Sequence, residues 1–187
     1  MRRTVTLLAV IVVGLASLFR LYGASLAGVT LPDTVQVGST ALVLNGLGLR
    51  TKYMVKVYVA GLYLTQKSSD ADAILKADSP KRLAMHFLHN VSKSQMADAF
   101  EESFHDNSPE ASKAMKADID RLLGALEPLK EQDEMVFTYL PGSGSTLTIK
   151  GQDKLTIAGA AFGQMLFSVW LGPKPPNSGL KKGLLGQ

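Results

Sequence analysis

Residues 53–64 carry the pattern that most restricts the fold. Tyr53, Val55, Val57, Val59 and Tyr63 share one parity, while Lys56, Tyr58, Ala60 and Leu62 share the other. A helix would scatter these residues around its circumference. An extended chain sorts them onto two faces, so the segment is a strand. Around it the rest of the order can be read. Residues 28–37 and 40–44 are strand-like, broken by Pro32-Asp33 and Gly38-Ser39. Ser69-Asp70 caps a short helix to Lys76, and residues 81–89 form another strand. Ser92 followed by Gln95 is a capping box that opens a helix to Asn107, with Met96, Ala99, Phe100, Ser103 and Phe104 on its inner stripe. Ser108-Pro109 starts a second helix that ends by Pro128. Residues 135–140, 146–150 and 154–157 form a strand meander, and residues 160–171 a hydrophobic helix stopped by Gly172-Pro173. The tail, residues 175–187, reads as Pro/Gly/Lys-rich with a frayed turn of helix. Strands, helices, strands and a final helix predict an α+β domain: an antiparallel sheet covered by helices on one face.

The first 27 residues stand apart. Arg2 and Arg3 precede an apolar run from residue 4 to 19, and Ser25-Leu26-Ala27 is a small-x-small site. This is the layout of a secretory signal peptide, with cleavage expected after Ala27 and a folded domain over residues 28–187. Left uncleaved, the same segment would be an anchor. A bacterial chain with this leader would be periplasmic or secreted, with peripheral membrane or envelope association among the partners to consider. No lipid attachment is expected there, since the chain has no Cys. That absence also excludes a disulfide scaffold, a cysteine nucleophile and thiolate zinc sites. The formal charge of +4 comes largely from the leader, because residues 28–187 hold 17 basic against 16 acidic side chains. A nucleic-acid partner would require the basic excess on the folded part, so none is expected.

The stretch Asn45-Gly46-Leu47-Gly48-Leu49-Arg50, followed by residues 56–64 (KVYVAGLYL), resembles the chalcone isomerase family in its bacterial chalcone-isomerase-like branch. Ala158-Gly159, Phe162 and residues 166–172 (LFSVWLG) fit the same branch. The resemblance implies an open-faced sandwich, in which a curved antiparallel sheet and a helical layer enclose an apolar cleft. The family includes plant enzymes that cyclise chalcones, fatty-acid-binding proteins without catalysis, and non-catalytic helper proteins. The fold is therefore implied more firmly than the chemistry.

Four residues are implicated at the cleft. Arg50 resembles the family's cleft arginine; a guanidinium supplies two parallel donors and a permanent charge, which suits an anionic head in an apolar pocket. The alternative is a strand-end arginine paired with a surface acid. Tyr58 falls where the plant enzymes carry a catalytic threonine and where the fatty-acid binders carry tyrosine. Met96 and Ser103 fall on the helix where the plant enzymes place a hydrogen-bonding tyrosine and asparagine. A thioether cannot replace a phenol donor, so Met96 weakens the isomerase reading and suits an apolar tail.

Other signals are weaker. Gly46-Leu47-Gly48 lacks the third glycine and the following helix of a phosphate cradle. His86 and His89 point to opposite faces of one predicted strand and cannot share a metal, so neither a metal site nor a cofactor is expected. Lys56, on the Tyr58 face, is either a second cation for the ligand head or a rim lysine. Three readings follow: an exported binder of a fatty acid or similar amphipathic or phenolic carboxylate; an intramolecular lyase of the chalcone isomerase type; and an envelope protein-interaction module.

Overall fold

A computed structural model describes residues 23–187. The expected leader lies outside the described residues as far as residue 22.

Two β layers and a helical layer enclose the core. The two-stranded unit is β1 (Gly23–Leu26) with β2 (Val29–Pro32), turning at Ala27-Gly28. The bond expected to be cleaved, after Ala27, is thus inside a hairpin turn, and cutting it would separate β1 from β2. The main sheet has seven antiparallel strands in sequence order: β3 (Thr34–Val37), β4 (Thr40–Lys52), β5 (Val55–Leu64), β6 (Lys81–Phe87), β7 (Glu134–Leu140), β8 (Gly144–Ile149) and β9 (Gln152–Ile157). Short turns join most neighbouring strands, with helical connections over residues 65–80 between β5 and β6 and over residues 88–133 between β6 and β7. The helices are α1 (Ala71–Lys76), α2 (Lys93–Asn107), α3 (Pro109–Ala114), α4 (Lys116–Ala125), α5 (Ala160–Leu171) and α6 (Ser178–Leu184). The α+β sandwich expected from the sequence is the fold observed.

The alternation in residues 53–64 sorts β5 as expected. Ala60, Leu62 and Leu64 join the large core under the helices, whereas Val59 and Tyr63 pack on the opposite face. That opposite face is not left to solvent: Val29 and Leu31 of the β1–β2 hairpin cover Val59. Helix α2 begins with the capping box read from Ser92 and Gln95, both reciprocal hydrogen bonds being present. Its buried stripe is Met96, Phe100 and Phe104. Phe100 meets Trp170 edge-on at 5.9 Å and Phe137 at 5.7 Å, which locks α2 and α5 to the sheet.

Three features depart from the sequence reading. Strand β4 continues past Leu44 to Lys52, because residues 44–52 pair with β5 despite two glycines and an asparagine that disfavour strands. The helix expected from Ser108 is broken at Met115, whose φ of −108° and ψ of 25° separate α3 from α4. The tail is not frayed. Leu180 and Leu184 of α6 are completely buried, and the helix docks on β4.

That docking explains the motif at residues 45–50. A Cβ on Gly46 would lie 2.1 Å from the Gly183 carbonyl oxygen, and one on Gly48 would lie 2.4 Å from that of Leu180. The glycines are a seat for the backbone of α6. Asn45, itself buried, donates from Nδ2 to the Leu184 carbonyl at 2.8 Å and to the Ser68 carbonyl at 2.9 Å. Its Oδ1 accepts the Ser68 N–H at 2.7 Å. Arg50 Nη1 donates to the Pro176 carbonyl at 2.7 Å. The four residues form a track along which the C-terminal segment lies antiparallel to β4.

Candidate functional site

A cavity of about 710 Å³ opens between the sheet and the helical layer, within the size range of small-molecule sites. Its floor is Tyr58, Met85, Phe87 and Met135 from β5, β6 and β7. Its helical wall is Met96, Ala99, Phe100 and Ser103 of α2, and α5 closes it with Val169 and Trp170. Charged residues also line it: Arg50 and Lys52 from β4, Glu102 and Asp106 from α2, and Lys174 after α5. All four residues singled out from the sequence, Arg50, Tyr58, Met96 and Ser103, line this one cavity.

Arg50 and Tyr58 are direct cross-strand partners. They share a face because β4 and β5 are paired in continuous register from Gly46 to Arg50, between irregularities at Asn45 and immediately after Arg50. The alternative of a surface ion pair is not realised: among the described residues no carboxylate pairs with Arg50. Its Nη1 donates instead to the carbonyls of Thr51 and Pro176, each at 2.7 Å, and at 3.4 Å to Asn177 Oδ1. These neutral acceptors fix the guanidinium without cancelling its charge. No protein atom among the described residues accepts from Nε or Nη2, which together form a bidentate edge.

Tyr58 is held from the other side. Trp170 Nε1 donates to the Tyr58 hydroxyl oxygen at 3.0 Å, and Phe87 packs on the ring at 5.5 Å. The indole therefore uses an acceptor site of the hydroxyl and leaves its proton free to be donated elsewhere. Burial pushes the Tyr58 phenol up to about 12, against smaller opposing effects from the Trp170 hydrogen bond and the Arg50 charge. The phenol is thus a neutral donor beside a fixed cation. Trp170 was not read from the sequence as a partner for Tyr58; the available signal is that a buried indole N–H needs an acceptor, and this is the chain's one tryptophan.

Met96 is 5% exposed and presents a thioether to the cavity. Ser103 lies about two helical turns further along α2, beside Glu102 and near Asp106. Lys56 is exposed and does not line the cavity; Lys52 and Lys174 are the lysines that do. His86 faces Glu134 at 3.6 Å, and His89 lies at the cavity lining. Among the described residues no cluster of three or more His, Cys, Asp or Glu side chains could hold a metal. No helix there is long and apolar enough to cross a membrane.

A curved antiparallel sheet that closes on a helical layer around an arginine–tyrosine cleft defines the class. The chain belongs to the chalcone isomerase-like family, whose pattern matches residues 23–186. Among solved structures it is similar to a fatty-acid binding protein of Arabidopsis thaliana, with a TM-score of 0.66 and 12% identity. That similarity covers 84% of this chain and 92% of the plant protein. At such identity the likeness is one of fold. No curated protein matches the sequence significantly.

Proposed function

We propose that this protein binds a fatty acid or similar amphipathic carboxylate and does not catalyse a reaction on it. The observation that carries the reading is the Arg50–Tyr58 pair lining the cavity: a cation with no carboxylate partner among the described residues, beside a phenol whose proton is free. A carboxylate would accept from the Nε–Nη2 edge of Arg50 and from the Tyr58 hydroxyl. The alkyl portion would lie against Met85, Phe87, Met96 and Phe100, where removal of apolar surface from water supplies the affinity. The Arabidopsis thaliana neighbour is itself a fatty-acid binding protein, which supports this ligand class.

The isomerase reading draws on the same arginine, which could stabilise an attacking oxyanion in an enforced near-attack geometry. Met96 counts against it, since the resemblance assigns that helix position to a hydrogen-bonding tyrosine. We further propose that the leader exports the protein, with periplasmic or secreted residence and peripheral contact with the envelope.

The test is calorimetry with a long-chain fatty acid and its methyl ester, coupled to mass spectrometry of lipid retained through purification. The acid should bind more tightly than the ester in the native protein, and Arg50→Ala should abolish that preference. Equal binding of acid and ester would refute the carboxylate clamp. Rapid stereoselective flavanone formation, lost in Arg50→Ala, would replace binding with catalysis.

A further inference from the structure

The turn between β4 and β5 is built against the ordinary preferences of its residues. Lys52 pairs with Val55, so Tyr53 and Met54 make a two-residue turn, with φ of 48° and 66°. Such a turn needs left-handed backbone at both positions, which is why Asn-Gly or a similar pair normally fills it. The chain follows that rule elsewhere: Ala27-Gly28 and Lys150-Gly151 each place glycine second. At residues 53–54 it places two large apolar side chains instead, and both project into solvent, Tyr53 90% exposed and Met54 99%. Val55 beside them is 42% exposed. These three are the exposed large hydrophobics among the described residues. Neither backbone preference nor core packing accounts for them.

Charge and position say what they meet. From residue 40 to 64 the hairpin carries Arg50, Lys52 and Lys56 and no acidic residue. Among the described residues neither Lys52 nor Lys56 is in an ion pair, and Lys52 Nζ sits 5.9 Å from the Tyr53 ring centre. Beyond Val57, whose carbonyl accepts the Leu88 N–H at 2.8 Å, the hairpin outruns strand β6 and stands clear of the sheet. Tyr53 and Val55 also line the mouth of the cavity.

We propose that this tip docks on an anionic lipid bilayer, with Tyr53 and Met54 in the interfacial layer and Lys52 and Lys56 on the headgroups, so that the cavity opens toward the membrane. Tyrosine suits the boundary because its ring is apolar and its hydroxyl stays wet, and flanking lysines extend to the phosphates while their stems remain in the apolar layer. The attraction of each lysine depends on anionic lipid and is screened by salt. The inference concerns how a lipid-derived ligand would reach the cleft and goes beyond the binding reading itself.

The chain has no cysteine, so Met54→Cys gives a single site for an environment-sensitive dye. Ser143→Cys, in the exposed turn between β7 and β8 at the opposite end of the sheet, is the control. The full chain is mixed with phosphatidylcholine vesicles, with and without phosphatidylglycerol, carrying nitroxide-labelled acyl chains. The dye at 54 should be blue-shifted and quenched on the anionic vesicles, and the dye at 143 should not. Lys52→Gln/Lys56→Gln should weaken insertion roughly 10- to 30-fold. Met54→Gly should weaken it about 5- to 10-fold and raise the melting midpoint by about 1–4 °C, because glycine suits the left-handed position. Loss of insertion in Met54→Gly therefore cannot come from loss of fold.

Protein that floats with vesicles while the dye at 54 stays unquenched would overturn the proposal, since attachment would then come from elsewhere in the chain. A dye response that follows protein concentration without vesicles would overturn it in favour of a second copy as the occupant. Fatty-acid calorimetry in vesicle-free solution reads the cavity separately: Met54→Gly should bind as the native chain does, so tip insertion without fatty-acid binding would retain this inference and sink the other.

Discussion

Trp170 Nε1 donates to the Tyr58 hydroxyl across 112 residues of sequence, and this one bond sets which way the phenol can donate. Replacing either partner should have two distinguishable effects. Tyr58→Phe removes a neutral donor from the ligand and should weaken fatty-acid binding by about 1 kcal/mol, close to fivefold. It also leaves the buried indole N–H without its acceptor and should lower stability by about 1–3 kcal/mol. Trp170→Phe keeps an aromatic filler and frees the hydroxyl to rotate, so affinity should fall by a smaller factor. Calorimetry and denaturant melts on both variants separate the two effects.

Arg50 has a ligand-facing edge and a tail-facing nitrogen, and substitution must separate them. Arg50→Ala should weaken binding of a fatty-acid anion by roughly 10- to 150-fold, the value of a charged hydrogen bond at ~1.5–3 kcal/mol. Arg50→Lys should not fully restore it, because an ammonium lacks the planar fork. Loosening of the tail without touching the carboxylate site is mimicked by Asn45→Ala, which removes the bond to Leu184 together with the two to Ser68. If Asn45→Ala weakens binding as much as Arg50→Ala, the arginine acts through the tail and the clamp is wrong.

Alkali should reveal the Tyr58 proton. Its folded-state value near 12 lies above the ordinary 10, so the folded state holds the proton more tightly than the unfolded chain. The stability this contributes is intact below about 10 and is lost as pH rises toward 12. Phenolate absorbance in the native protein should therefore contain late-titrating tyrosines, and Tyr58→Phe should remove one of them. Tyrosinate formation at Tyr58 near pH 10 would mean that the ring is wetter than the structure indicates.

The glycine seat should tolerate no side chain. Gly46→Ala or Gly48→Ala drives a methyl into the backbone of α6, where neither side can yield by rotating a side chain. Each should destabilise the protein by about 1–3 kcal/mol, the usual cost of overpacking, or more if α6 detaches. Gly124→Ala, on a helix with open space at the Cβ position, is the control and should be neutral or slightly stabilising. Urea melts of the three variants are sufficient.

The sequence was most legible where periodicity and capping were strong. Residues 53–64, the Ser92 box and the meander from 135 to 157 all appear as elements near the expected positions. Strand β4 was hidden beyond Leu44, because Asn45, Gly46 and Gly48 have poor strand propensity and their places are dictated by a helix more than a hundred residues away. The same long-range contact made a docked helix look like a frayed tail. Arg50, Tyr58, Met96 and Ser103 came from the family resemblance, and they do converge on one cavity. Trp170 as the orienting donor could not be found that way, since nothing local to residues 160–171 says which acceptor lies opposite. The apolar tip at 53–54 was concealed in another manner: by parity those residues look like more strand.

The track on β4 also has a consequence in time. Asn45 meets Leu184 across 139 positions, so on a ribosome adding about 5–20 residues per second the first partner waits on the order of ten seconds for the second. Until then the wall that carries Arg50 has no α6 against it, and two glycines expose bare backbone to any strand that can pair with it. A chain interrupted before Ser178 would contain every residue of the sheet and still lack the piece that locks it. Completion of the cleft therefore waits on α6, and residues 178–184 decide whether the earlier ones are kept apart from their neighbours.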